Sequence, residues 1–295
     1  MSRPSFCTFW AGRASPYQTL CLASWVAHGF DAIVYTADAD ITLPPGAIRR
    51  PAEEILDLGG HVHRYKSGFG AGSPSLHSNL FRYKLLKRGE WWLDTDVLVQ
   101  RDDLPATDFF LARQIQSNVV GTAVMRLPAE SPLVDDAIRQ IEAVIEEARW
   151  GQTGPDLISS LVARHGLAHR VHERKTAYEI DYSEVIKLFD PRARDELGER
   201  LATSTFVHLW NEIWNAIGFP QELGPPEGSY LDTVVERYGG GAMFPARVPF
   251  ASIEKWWENR AHRVRLEHEL AETRAKMAAS PRFTFSYSQQ FRNRD

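Results

Sequence analysis

Cysteine is nearly absent: the 295 residues hold two, Cys7 and Cys21. Two thiols cannot staple a disulfide scaffold, and these two have no metal-ligand spacing. They read as buried thiols in a reducing cytosol. Long apolar runs are missing as well. No uninterrupted stretch approaches the roughly 20 residues that a membrane helix needs, and the opening MSRPSFCTFWAGR lacks the apolar centre of a secretory leader. Nor is there an excess of positive charge. The 34 Lys and Arg face 38 Asp and Glu, for a net charge of −4, which argues against a general nucleic-acid binder because such proteins neutralise phosphates with a basic surface. Basic residues do gather near the C-terminus, but acidic ones interrupt them. There is no internal repeat and no low-complexity linker. The composition that remains, 43% hydrophobic and 24% charged, is that of a soluble globular protein with a full-sized core.

The first half of the chain alternates between strand-like and helix-like segments. Ser5–Phe9 reads as a strand, Pro16–His28 as a helix with Pro16 in its first turn, and Asp31–Thr36 as a second strand. His61–Tyr65 is a candidate third. Ser75–Arg88 is a strong helix, with Ser73 or Ser75 as its cap and Gly89 past its end. Trp91–Val99 then reads as one strand. Such βαβα alternation predicts a mainly parallel sheet with helices on its faces. Further on, Phe109–Ala112 and Asn118–Leu127 read as strands, Ser131–Arg149 and Thr153–His165 as helices, and Thr205–Trp210 as a late strand. Gly239–Gly241 marks a turn. Trp256–Met277 is helical and densely charged, and Ser280–Asp295 has no period at all. The expected division is one α/β domain over 1–250, followed by a charged helix and polar tail over 251–295.

Within the Trp91–Val99 run, EWWLDTDVLVQ places two carboxylates, Asp94 and Asp96, one residue apart where an apolar strand should end. On an extended strand Trp92, Asp94 and Asp96 share one face. In open α/β sheets ligands bind beyond the carboxyl ends of the strands. Two such carboxylates repel and raise each other's pKa unless a cation meets them, and oxygen ligands select Mg²⁺ or Mn²⁺. An isolated DxD is more often a solvated acidic turn. Here the preceding helix carries Arg82 on the face of Asn79, well placed for phosphate oxygens, although a lone arginine there is more often a surface ion pair.

The stretch SNLFRYKLLKRGEWWLDTDV resembles the signature of DXD-containing glycosyltransferases of the α-1,4-galactosyltransferase, yeast initiating α-1,6-mannosyltransferase and bacterial capsular-polysaccharide type. That pattern is close to S-D-L-x-R-Y-x-x-L-x-x-x-G-G-x-Y-x-D-x-D. Three further segments resemble the family in the same order: FWAGRASPYQTLCLASWVAHGFDAIVYT, WGQTGPDLISSLV and TFVHLWNEIW. The resemblance implies a GT-A fold, a Rossmann-like mixed sheet with helices on both faces. It implies metal-dependent transfer of a sugar from a nucleotide diphosphate, with the α configuration retained. Carried across, Asp94 would contact the ribose or a metal-bound water, Asp96 would ligate Mn²⁺ or Mg²⁺, and His208 would be a further ligand. Arg82 would hold the diphosphate or its sugar, Phe9 and Trp10 would line the base pocket, and Trp210 and Asn211 would close over the diphosphate. A UDP-sugar is favoured over a GDP-sugar as donor. The chain departs from the pattern at Asn79, where the family has aspartate, and at Glu90, where it has a second glycine.

In this mechanism a strong protein base is unnecessary, because the departing phosphate oxygen takes the acceptor proton. Asn118 and Asp156 are candidates to hold sugar and acceptor hydroxyls, and Asp156 equally suits the first turn of a helix. The expected acceptor is a glycan or glycolipid, with a protein acceptor as alternative, and the expected location is cytoplasmic with peripheral membrane contact through the basic C-terminal helix. Two rival readings accompany this one. A DxD-nucleophile phosphatase needs its motif on the domain's first strand, yet a βαβ pattern precedes it here. A degenerate protein that binds nucleotide or glycan without turnover is motivated by Asn79.

Overall fold

The computed structural model describes residues 4–279 apart from 39, 58, 68–69, 115–118 and 240–242. The first strand, β1 (Ser5–Phe9), leads to α1 (Pro16–Ala27) and then to β2 (Asp31–Thr36), as the periodicity predicts. Ser15 caps α1 through a reciprocal box with Gln18, and Pro16 occupies the first turn, where its missing N–H costs nothing. A short strand, β3 (Ile48–Pro51), follows. It is exposed throughout and reads as IRRP. Charge and a proline on an edge strand discourage pairing with other chains, but they also erase the apolar alternation that would reveal it. The expected strand at His61–Tyr65 is instead irregular chain.

Helix α2 (Ser75–Leu86) begins at an N-cap of Pro74 and not at either serine, and no side chain caps it. Gly89, at φ +72°, turns the chain into β4 (Trp91–Leu93). The single strand expected over Trp91–Val99 is broken. The Asp94 carbonyl accepts the Val97 N–H in a turn, and β5 (Val97–Val99) leaves the main sheet. The remaining elements are β6 (Val124–Met125), α3 (Pro132–Val144), α4 (Pro155–Arg164), α5 (Arg194–Leu201), β7 (Phe206–His208), α6 (Asn211–Ile217), α7 (Tyr230–Tyr238) and α8 (Phe250–Ala279). Around Phe109–Ala112 the strand-like residues form single bridges, Phe110 to Arg126 among them. The expected tail at Ser280–Asp295 lies outside the described residues, as does most of the Gly239–Gly241 turn.

The main sheet has the order β3-β2-β1-β4-β6, with β6 antiparallel to β4 and the other neighbours parallel. A two-stranded antiparallel pair, β5-β7, stands beside it. The sheet is covered on both faces. Phe6, Val34, Trp91 and Leu93 face α1 and the C-terminal helices, while Cys7, Phe9, Ile33, Tyr35 and Trp92 face α2, α3 and α4. Burial on both faces is what parallel strands require and explains their near-continuous apolar runs. Both cysteines are buried and unbridged, and the Cys7 thiol donates to Glu90 Oε2 at 2.7 Å. From β1 the chain winds outward to β2 and β3, then returns to place β4 on the other side of β1. The reversal opens a crevice between β1 and β4 at their carboxyl ends, the position where open α/β sheets bind ligands. Among the described residues no helix is long and apolar enough to cross a membrane.

Candidate active site

That crevice is a cavity of about 500 Å³. Its floor is the end of β1 (Thr8, Phe9, Trp10) and the turn Asp94-Thr95-Asp96 that breaks β4 from β5. Phe9, Trp10, Asn79, Arg82, Asp94, Asp96, His208, Trp210 and Asn211 all line this one cavity. Asp156 does not. It is exposed in the first turn of α4, where an acidic side chain faces the positive end of the helix. Asn118 lies outside the described residues.

One half of the site is built locally. Helix α2 projects Arg82 inward until the residue is 4% exposed. Its two terminal nitrogens donate to Asp94 Oδ1 and to the Thr122 carbonyl, each at 2.9 Å. The Trp92 indole N–H donates to the same Asp94 oxygen at 2.7 Å, and the Arg82 guanidinium lies 5.0 Å from the Trp92 ring centroid. Arg82 is therefore spent largely on positioning Asp94, and only its Nε remains buried without a partner. Asp94 Oδ1 is fully engaged, which leaves Oδ2. Burial pushes the Asp94 carboxyl above its usual range against the pull of Arg82, and the Asp96 charge adds to the rise.

The other half is assembled by long-range pairing. In the β5-β7 ladder Val97 stands opposite His208, and the Leu209 N–H donates to the Asp96 carbonyl at 2.9 Å. This register sets His208 Nε2 3.3 Å from Asp96 Oδ2. The backbone N–H of Asn211 donates to the same oxygen at 2.9 Å. Burial would raise the Asp96 carboxyl, but His208 and the Asn211 N–H outweigh it and hold the group below its ordinary value. Between β7 and α6, Trp210 adopts φ 58° and ψ 48°, the one left-handed non-glycine among the described residues. Its indole N–H donates to the Ile180 carbonyl at 2.8 Å.

Asp94, Asp96 and His208 can bring one ligand atom each within 4.8 Å of one another. Two carboxylates and an imidazole suit Mn²⁺ or Mg²⁺ by donor type. His208 Nδ1 is buried without a partner, so the ring's hydrogen-bonding capacity is not yet satisfied by protein alone. The donor set fits a divalent cation, with His208 offering Nε2, the ring nitrogen beside Asp96.

Asn79 is buried, and its amide nitrogen lies 2.9 Å from Thr153 Oγ1 and 3.2 Å from Tyr65 Oη. Sequence reasoning missed several lining residues. Tyr178, whose hydroxyl accepts the Ala123 and Val124 N–H groups, comes from a stretch with no regular period. Glu212 directly follows His208-Leu209-Trp210-Asn211 and was findable by adjacency. Burial raises its carboxyl, and the nearby Asp96 charge adds to the rise.

Residues 127–226 match the sequence family described as alpha 1,4-glycosyltransferase conserved region. That stretch runs from the second residue after β6 to the loop before α7 and includes His208, Trp210 and Asn211, although not the two aspartates. Among solved structures the chain is similar to one described as "PaToxG Glycosyltransferase", at 12% identity and a TM-score of 0.39, over 85% of this chain and 86% of that one. No curated protein sequence matches the chain.

Proposed function

We propose that this chain transfers a sugar from a nucleotide diphosphate to an acceptor hydroxyl, with retention of the α configuration and with Asp94, Asp96 and His208 holding a divalent cation. The observation that carries the reading is the convergence of these three side chains at the reversal point of the sheet. When bound, a divalent cation there offsets the charge that grows on the departing diphosphate, worth several kcal/mol in the transition state. The chain's own residues do the rest. Arg82 and Trp92 fix Asp94 so that one oxygen faces the donor. The Asn211 N–H and His208 keep Asp96 ionised. Trp10 offers an aromatic face to the base at the end of β1, whereas the Phe9 ring is committed to the core against His77 and Phe81. The acceptor hydroxyl approaches on the face from which the diphosphate leaves, and the leaving oxygen takes its proton. The donor is a UDP-sugar in preference to a GDP-sugar, the ion Mn²⁺ or Mg²⁺, and the acceptor a glycan or glycolipid.

The test is a panel of UDP- and GDP-sugars with Mn²⁺, read as sugar release, together with melting curves in UDP or GDP plus Mn²⁺. Release from at least one donor and a rise of several degrees with its nucleotide are expected through binding linkage. No release and no rise across the panel overturns the proposal. A second reading, binding without turnover, rests on Asn79 in place of the family's aspartate. A melting shift without release, restored to turnover by Asn79→Asp, is its signature.

A further inference from the structure

Among the described residues the large aromatic side chains that stand exposed are Trp150 and Tyr182, at 36% and 44%. Both border the cavity that holds the carboxylates. Aromatic rings left in water carry a hydrophobic cost and mark contact surfaces when they gather at one place. Trp150 comes from the connection between α3 and α4, and its ring leans on Tyr65 with centroids 5.2 Å apart. Gly70, at φ +74°, passes so close beneath it that a Cβ there would lie 2.1 Å from the indole. The chain thus gives up a side chain at position 70 to keep the indole where it is. Tyr182 comes from the irregular segment before Val185 and meets the edge of Trp210 at 6.0 Å. The two rings therefore belong to two separately built parts of the rim, each with its own backing.

A flat apolar face beside fixed polar groups is complementary to a pyranose, whose axial C–H bonds form an apolar face and whose hydroxyls ring its edge. Polar groups line the same cavity, the Glu212 carboxyl and Asn79, whose amide nitrogen is already bonded to Thr153 and Tyr65.

We infer that Trp150 and Tyr182 form the acceptor subsite, and that the acceptor is a pyranoside which lays its C–H face on these rings. The inference rests on the transferase reading and adds the substrate class of its second half-site. The probes are the methyl α- and β-pyranosides of glucose, galactose, mannose and N-acetylglucosamine, each titrated by saturation-transfer NMR against the full chain with UDP and Mn²⁺. At least one should bind, with saturation strongest on one face of the ring. Trp150→Ala and Tyr182→Ala should each weaken it roughly three- to tenfold, the scale of one aromatic stacking contact. Trp150→Phe should recover part of the loss, and UDP binding should be unchanged in all three. Tyr182→Ala removes an exposed ring, so it keeps the test valid if Trp150→Ala disturbs the packing on Tyr65. Unchanged pyranoside binding in the variants overturns the inference, as does a loss of UDP binding, which would assign the rings to the donor. UDP binding with no pyranoside bound also overturns it while leaving the transferase reading intact. Binding of neither UDP nor GDP with Mn²⁺ instead removes that reading.

Discussion

The two walls that meet at the Asp94-Thr95-Asp96 turn are made in opposite ways. The Asp94 wall is nearly continuous chain: α2 supplies Arg82, a glycine turn follows, and β4 delivers Trp92 and Asp94 a few residues later. The Asp96 wall is drawn together from afar by the β5-β7 ladder, which brings His208 and Asn211 to a carboxylate more than a hundred residues upstream. The difference shows in the charges. Asp94 is drawn into burial that its arginine only partly offsets, whereas Asp96 is held ionised by donors that arrive through the ladder. One wall sets position and the other sets charge.

The largest expected effect comes from breaking the charge on the ladder side. Asp96→Asn keeps the shape and can still accept the Asn211 N–H, so its melting temperature should stay close to that of the parent. Mn²⁺-dependent sugar release should fall on the order of a thousandfold, the scale for removing one preorganised electrostatic partner. Release within tenfold of the parent would remove Asp96 from the site. Arg82→Met should do the reverse in kind. It leaves Asp94 without its cation in a setting where Arg82 itself is only 5% exposed in its side chain. A loss of about 3 kcal/mol in urea unfolding is expected. An unchanged unfolding midpoint would show that the pair does not hold this wall together.

The same contrast decides what could be read from sequence. The local wall was legible because its residues lie in one stretch, so helix spacing and the DxD motif point at each other. The break between β4 and β5 was not, because apolar residues continue on both sides of Asp94-Thr95-Asp96 and the chain leaves the sheet only to pair with β7. The late motif His208-Leu209-Trp210-Asn211 was noticed as residues, but its partner needed the ladder register. Helices α5, α6 and α7 are harder to read because they are short, at eight, seven and nine residues, which leaves barely two turns for a period to show. Tyr178 and Tyr182 sit in irregular chain, where no period exists to read.

That irregular chain has its own brace, which pH should reveal. Arg200 donates to the Glu179 carbonyl and carboxylate and to both Glu184 oxygens, clamping the segment from Tyr178 to Val185. The Arg200 hydrogen bonds hold the Glu184 carboxyl down at about 2, against an ordinary 4.5. A carboxyl depressed on folding stabilises above its unfolded pKa and loses that contribution as pH falls from about 4.5 toward 2. Glu184→Gln should cost about 2 kcal/mol at neutral pH, allowing for its partial exposure, and the gap from the parent should close through that acid window. Urea midpoints between pH 7 and pH 3 would show it. Parallel pH curves for the two proteins would place the brace elsewhere.

The smallest effect concerns how the ladder wall is aimed. Trp210 combines a buried ring with a left-handed backbone, and the two can be separated. Trp210→Ala and Trp210→Asn both delete the indole and its bond to the Ile180 carbonyl. Asparagine tolerates the left-handed region because its short polar side chain bonds locally, whereas alanine meets the full Cβ clash of roughly 1–2 kcal/mol. If the backbone must turn there to direct the Asn211 N–H at Asp96, the asparagine variant should be the more stable by about 1 kcal/mol. It should also retain more UDP and Mn²⁺ binding than the alanine variant. Equal stability and equal binding would mean that the ring alone, and not the turn beneath it, sets the Asp96 wall.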